Sequence, residues 1–114
     1  MEKLYAELLI KIKKSNLNKK ELLEKWKKII KDYQNRGIDL ADCSSLNKLE
    51  RCDPEEICIM MRSGQRTHSP NYKQMYSLLG EFIKFLYEEM GYIGSLNITL
   101  ERKYRVFEIQ TEIP

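Results

Sequence analysis

Three cysteines and one histidine are the residues of this chain with the most chemistry to offer. Cys43, Cys52 and Cys58 are separated by eight and then five residues, and His68 follows ten residues later. Thiolates and an imidazole are the ligands of a tetrahedral zinc site. His68 also stands beside Arg66 and Thr67, where an imidazole can act as a general base or contact a phosphate. A base needs a positioned nucleophile, and no Gly-x-Ser-x-Gly stretch or catalytic cysteine context supplies one. Phosphate-cradling loops of the G-x-x-x-x-G-K-[ST] or G-x-G-x-x-G kind are absent from the sequence.

The cysteine spacing resembles that of the first three ligands of CCCH-type zinc fingers, which bind single-stranded RNA. The resemblance covers residues 43–58, under a fifth of the chain. It departs at the fourth ligand, because the position near 62 that should hold histidine holds Arg62, and His68 comes six residues later. Glycines and stacking aromatics are also missing between the cysteines. Cys58 lies in an apolar stretch, where a cysteine behaves as a small hydrophobe. The expectation is therefore no metal, no cofactor and no catalytic residue.

Two further groups of residues could meet a partner. Arg62, Arg66, His68 and Lys73 form a candidate anion patch, with Tyr72 and Tyr76 close enough in sequence to stack on bases. Lys20, Lys27 and Lys31, with Lys11, Lys13 and Lys14 nearby, could contact a phosphate backbone. Carboxylates are paired at Glu55/Glu56, explained by a helix start, and at Glu88/Glu89, near a helix C-terminus where the dipole does not favour them. Glu88 and Glu89 thus become candidates for a partner's basic group.

The elements that must position these residues read as mostly helical. Leu4, Tyr5, Leu8, Leu9 and Ile12 recur at helical spacing and predict a first helix over 2–14. Asn18 as N-cap with Glu21 three residues on is a capping box, and Leu22, Leu23, Trp26, Ile29, Ile30 and Tyr33 then lie within an arc of about 120°. That second helix ends at Arg36-Gly37, and the two form a basic helical hairpin over 1–37. In the irregular stretch 38–52, Ile38, Leu40, Leu46 and Leu49 are expected to be buried, with room for a short fifth helix over 45–51. Asp53-Pro54-Glu55-Glu56 predicts a third helix, running to Ser63-Gly64. A fourth starts at Ser69-Pro70 and reaches Met90; its apolar arc near 200° makes it central.

After Gly94 the apolar period becomes two. Leu96, Ile98 and Leu100, then Phe107, Ile109 and Ile113, predict a β-hairpin over 95–113 turning at Glu101–Tyr104 and packed on the central helix. The fold class expected is α+β: four helices and a C-terminal hairpin in a single domain, 1–114. An open hairpin edge invites strand addition, and Glu108, Gln110 and Glu112 alternate on the outer face of its last strand. Glu88 and Glu89 complete the candidate partner surface.

Composition sets the remaining bounds. With 114 residues and 42% hydrophobic content the chain can fold as one domain without disulfides. No stretch approaches the roughly 20 apolar residues of a membrane span. An odd cysteine count does not read as a secreted disulfide framework, which points to a reducing cytoplasm, or a host's cytoplasm if the gene is viral. Lysine in excess of arginine, with frequent Ile and Asn, suggests a low-GC bacterium or a phage. The net charge of +3 divides unevenly: residues 1–36 hold eleven basic against five acidic groups, and residues 37–114 nine against twelve. The function expected is a small intracellular regulator, inhibitor or immunity-type protein acting by protein–protein contact, not an enzyme. A homodimer through the hairpin edge is a further expectation. The alternative is a nucleic-acid-binding module using the basic N-terminal helices.

Overall fold

The computed structural model describes residues 2–13, 17–47 and 52–106. Its elements run β1 (Glu2–Lys13), α1 (Lys19–Asn35), β2 (Leu40–Asp42), a 3₁₀ turn (Ser44–Asn47), β3 (Glu56–Ser63), α2 (Tyr72–Lys84) continued by a π-helical turn (Phe85–Glu89), and β4 (Leu96–Val106). The strands form one antiparallel sheet in the order β2-β3-β1-β4. This is the β-α-β-β-α-β, ferredoxin-like topology, with β1 and β3 central. The expected four helices and hairpin are therefore corrected to two α-helices and a four-stranded sheet, helix and strand in roughly equal measure.

The correction at β1 has a clear cause. The segment carries a helical stripe and an alternating pattern at once. Ala6, Leu8, Ile10 and Ile12 are all fully buried against the helices. Leu9, which completed the helical stripe, instead packs on the other face of the sheet with Met60 and Cys43. Flanked by a strand on each side, β1 gains ladder bonds along both edges, and tertiary pairing overrides the helix propensity of its Glu, Lys and Leu residues.

At β3 the helix-start chemistry of Asp53-Pro54-Glu55-Glu56 is spent on a tight turn. Glu56 N donates to Asp53 O at 2.9 Å, and Glu56 Oε1 accepts from Asp53 N at 3.3 Å. Beyond it Ile57, Ile59 and Met61 alternate into the core. The expected turn at Glu101–Tyr104 is absent. β4 continues through it because β1 supplies a partner for each residue, from Leu96 opposite Ile12 to Val106 opposite Glu2. Phe107, Ile109 and Ile113, the proposed return strand, lie outside the described residues.

Other expectations match. Asn18 caps α1, its side chain accepting from Glu21 N at 3.2 Å. Leu22, Trp26, Ile29, Ile30 and Tyr33 are buried as the stripe requires, while Leu23 is half-buried. Gly37, at φ 80°, takes the left-handed position after the helix. α2 starts two residues later than expected, on Asn71 as N-cap, whose side chain accepts from Gln74 N. Leu40 is buried and Ile38 half-buried; the side chains of Leu46 and Leu49 are outside the described set. Of the short helix expected over 45–51, residues 45–47 belong to the 3₁₀ turn Ser44–Asn47 and residues 48–51 lie outside the described residues.

The two helices and the inner face of the sheet enclose the main core. Trp26 stands edge-on to Phe82 at 5.0 Å, and its Nε1 donates to Asp42 Oδ1 at 3.1 Å. Tyr33 Oη is 3.0 Å from both Ser77 Oγ and Glu81 Oε1, tying α1 to α2. No described helix is long and apolar enough to cross a membrane.

Candidate functional site

The β1 correction redistributes the charges of the basic N-terminal third. In a strand, alternate residues leave opposite faces. Lys3, Lys11 and Lys13 share the register face of Glu7 and Leu9, on the side of the sheet away from the helices. Lys20, Lys27 and Lys31 are exposed on α1, in the helical layer on the other side. Lys14 lies outside the described residues; among those described, no continuous lysine surface runs from the first segment into the second.

The anion patch divides in the same way. Arg62 turns onto the open sheet face, where its Nε and Nη2 both lie 3.1 Å from Oε2 of the buried Glu7. Its guanidinium also sits 5.4 Å from the Tyr5 ring centre. Arg66 and His68 lie in the loop between β3 and α2, and Lys73 stands in the first turn of α2. That loop is braced by Asp39, whose Oδ2 accepts from Arg66 N, Thr67 N and Thr67 Oγ1 at 2.9–3.0 Å. Burial pushes the Asp39 carboxyl up, but these hydrogen bonds and the Arg66 charge outweigh it and hold the group below its ordinary value. Tyr72 and Tyr76 do not form a stacking pair: Tyr76 is exposed, whereas Tyr72 is half-buried with Arg102 over its ring at 5.5 Å.

Cys52 and Cys58 are joined in a disulfide, Cα–Cα 6.0 Å, and Cys43 is buried outside that bridge. The bridge sits at the start of β3. His68 lies past the far end of that strand, five residues or about 16 Å beyond Cys58 at Ser63. The described residues therefore do not gather the Cys3His set that the zinc-finger resemblance implies, nor any other group of three or more metal-binding side chains. Glu88 and Glu89 are exposed and line a shallow groove of mixed charge with Lys25, Lys28, Lys84, Asp32 and Glu81. Glu108, Gln110 and Glu112 lie outside the described residues.

The outer edge of β4 is the surface that remains. Among the described residues β4 is paired only with β1. Two of its helix-facing residues are poorly covered: Ile98 is 39% and Tyr104 61% exposed, while Ile10, opposite Ile98, is fully buried and Leu4, opposite Tyr104, is half-buried. β3 reaches along β1 only as far as Ala6, opposite Ser63. Beyond that point, among the described residues, Glu2–Tyr5 and Lys103–Val106 continue as a two-stranded ribbon. Such a ribbon is marginal in water without a further strand.

No protein-family model matches the chain, and no curated protein matches it either. Among solved structures it is similar to a de novo designed protein, Foldit4, at 11% identity and a TM-score of 0.46, covering 95% of this chain and all of that one.

Sequence reasoning looked for an open edge on the segment that carries Glu108, Gln110 and Glu112, which lies outside the described residues; the open edge among the described residues is that of β4. The signal that could have found β4 was the lack of any Gly or Asn at Glu101–Tyr104. A two-residue hairpin turn needs such residues for positive φ.

Proposed function

We propose that this chain is a small binding module that acts by protein–protein contact, taking a partner's strand along the outer edge of β4. The observation that carries the reading is the ribbon Glu2–Tyr5/Lys103–Val106 with its half-covered Ile98 and Tyr104 beside it. An added strand pairs with the edge of β4 that has no partner strand among the described residues, and it covers both side chains. Binding without catalysis fits the hydrogen bonding seen: Ser44 Oγ and Thr67 Oγ1 donate to Asp42 and Asp39, and both hydroxyls are spent on bracing turns. A regulator or inhibitor needs no more than such an edge. A cytoplasmic location, a host's if the gene is viral, belongs to this reading, and there the Cys52–Cys58 pair would be held as thiols.

The test is affinity capture from native lysate, with and without nuclease, by the full chain and by its Ile98→Lys/Tyr104→Lys variant. Both positions are exposed, so the fold tolerates the change, while lysine on an edge discourages strand addition. Capture that resists nuclease and is lost in the variant is the expected result. Capture that nuclease abolishes, that weakens steeply with salt and that needs Lys20, Lys27 and Lys31 would replace this reading with nucleic-acid binding through α1.

A further inference from the structure

β4 is close to self-complementary. An antiparallel strand paired with a copy of itself places residue i opposite a residue reflected through the two-fold axis, and opposite residues share a face of the sheet. With the axis at Arg102, Glu101 falls opposite Lys103 of the other copy, twice, and Leu100 falls opposite Tyr104, twice. Moving the axis one residue either way sets Glu101 against its own copy or Lys103 against its own copy. Like charges directly opposite are unfavourable on a sheet. The axis at Arg102 does bring two arginines face to face, but each guanidinium is already drawn over its own Tyr72 ring at 5.5 Å. Glu101 and Lys103 already contact each other within one strand at 2.6 Å. Two copies would extend that contact into an alternating ring of four charges.

The ribbon gives the same register a second reason. Lys103–Val106 have no support from β3, because β1 has left it behind at Ala6. In the register centred on Arg102 these four residues lie against Ile98–Glu101 of the other copy, and the reverse holds too. Each overhang is then carried by the better-supported half of its neighbour's β4. The order through the junction becomes β1-β4-β4-β1, and both exposed tyrosines at 104 meet a leucine.

From these features we infer that the strand taken by β4 is β4 of a second copy of this chain, antiparallel about an axis at Arg102, with Glu101 of each copy opposite Lys103 of the other. This rests on the strand-addition reading above and names its partner.

Sedimentation equilibrium on the full chain tests it through charge reversal. Wild type should be a dimer. Glu101→Lys alone and Lys103→Glu alone should each raise the dimer Kd by on the order of tenfold or more, since both cross-strand pairs become like-charged. The double variant Glu101→Lys/Lys103→Glu should restore the homodimer. An equimolar mixture of the two single variants should form a heterodimer, because every facing pair is again opposite in sign. A wild type that stays monomeric into the millimolar range overturns the inference, as does a dimer that ignores the single reversals. A monomer that still captures another protein, and loses it in the Ile98→Lys/Tyr104→Lys variant, sinks the second copy but leaves strand addition standing. A dimer or a capture that survives the paired lysines sinks both.

Discussion

Replacing Trp26 is the most direct probe of how the helical layer is fixed to the sheet. The indole is fully buried, stands edge-on to Phe82, and donates to Asp42 beside the end of β2. Truncating a buried tryptophan to alanine costs about 3–5 kcal/mol in lost transfer energy and cavity. Losing the indole hydrogen bond adds about 1 kcal/mol. That addition stays small because Asp42 Oδ1 is not orphaned: Ser44 N and Ser44 Oγ donate to the same oxygen at 3.1 and 2.6 Å. Against a domain stability of about 5–15 kcal/mol, the resulting loss of about 4–6 kcal/mol removes roughly a quarter of it at the upper end and all of it at the lower. Trp26→Phe keeps most of the ring contact and should cost about 1–2 kcal/mol, the hydrogen bond plus a small void. Trp26 is the single tryptophan, so urea unfolding must be followed by circular dichroism rather than indole fluorescence. A loss below about 1 kcal/mol for Trp26→Ala would refute the burial and with it the placement of α1 on the sheet.

Three further outcomes are expected. The depressed Asp39 carboxyl contributes stability that is fully present above its ordinary pKa near 4 and is lost as pH falls through the lower folded value; acid titration of Asp39→Asn should show a weaker loss over that range than wild type. Reducing Cys52–Cys58 opens a seven-residue loop and should lower stability by about 2 kcal/mol on the chain-entropy model, measured by urea melts with and without reductant; no change would mean the bridge constrains nothing in the unfolded chain. Gly64→Ala should destabilise by about 2 kcal/mol or more, because φ is 91° and a Cβ there would sit 2.8 Å from Pro70 N; an unchanged thermal midpoint would contradict that approach of the backbone.

What the sequence made legible was what local chemistry decides. Asn18, Glu21 and Gly37 bracket α1 because caps act within a turn of the helix. Alternation after Gly94 announced a strand for the same reason. The errors fall where the deciding partner is distant. The stripe from Leu4 to Ile12 fits a helix or a strand, and only β3 and β4 on its two sides select the strand. Asp53-Pro54-Glu55-Glu56 suits a helix start or a turn, and the pairing of β3 with β1 decides. Site reasoning inherited those errors. Lysines grouped by position along the chain were parted by the sheet, and Arg62 left its neighbours Arg66 and His68 because strand residues alternate faces.

The pairing of β1 with β4 also bears on how the chain folds. Glu2 meets Val106 and Ile12 meets Leu96, so β1, a central strand, acquires its outer neighbour only after both helices and the two strands between them have been made. Closing so large a loop costs entropy before its contacts repay it, which places this chain toward the slow-folding side of mixed α/β domains of its size. Until β4 emerges from the ribosome, β1 exposes a full-length edge beside a core still open on that side. During that interval the nascent chain is most in need of protection from pairing with a neighbour.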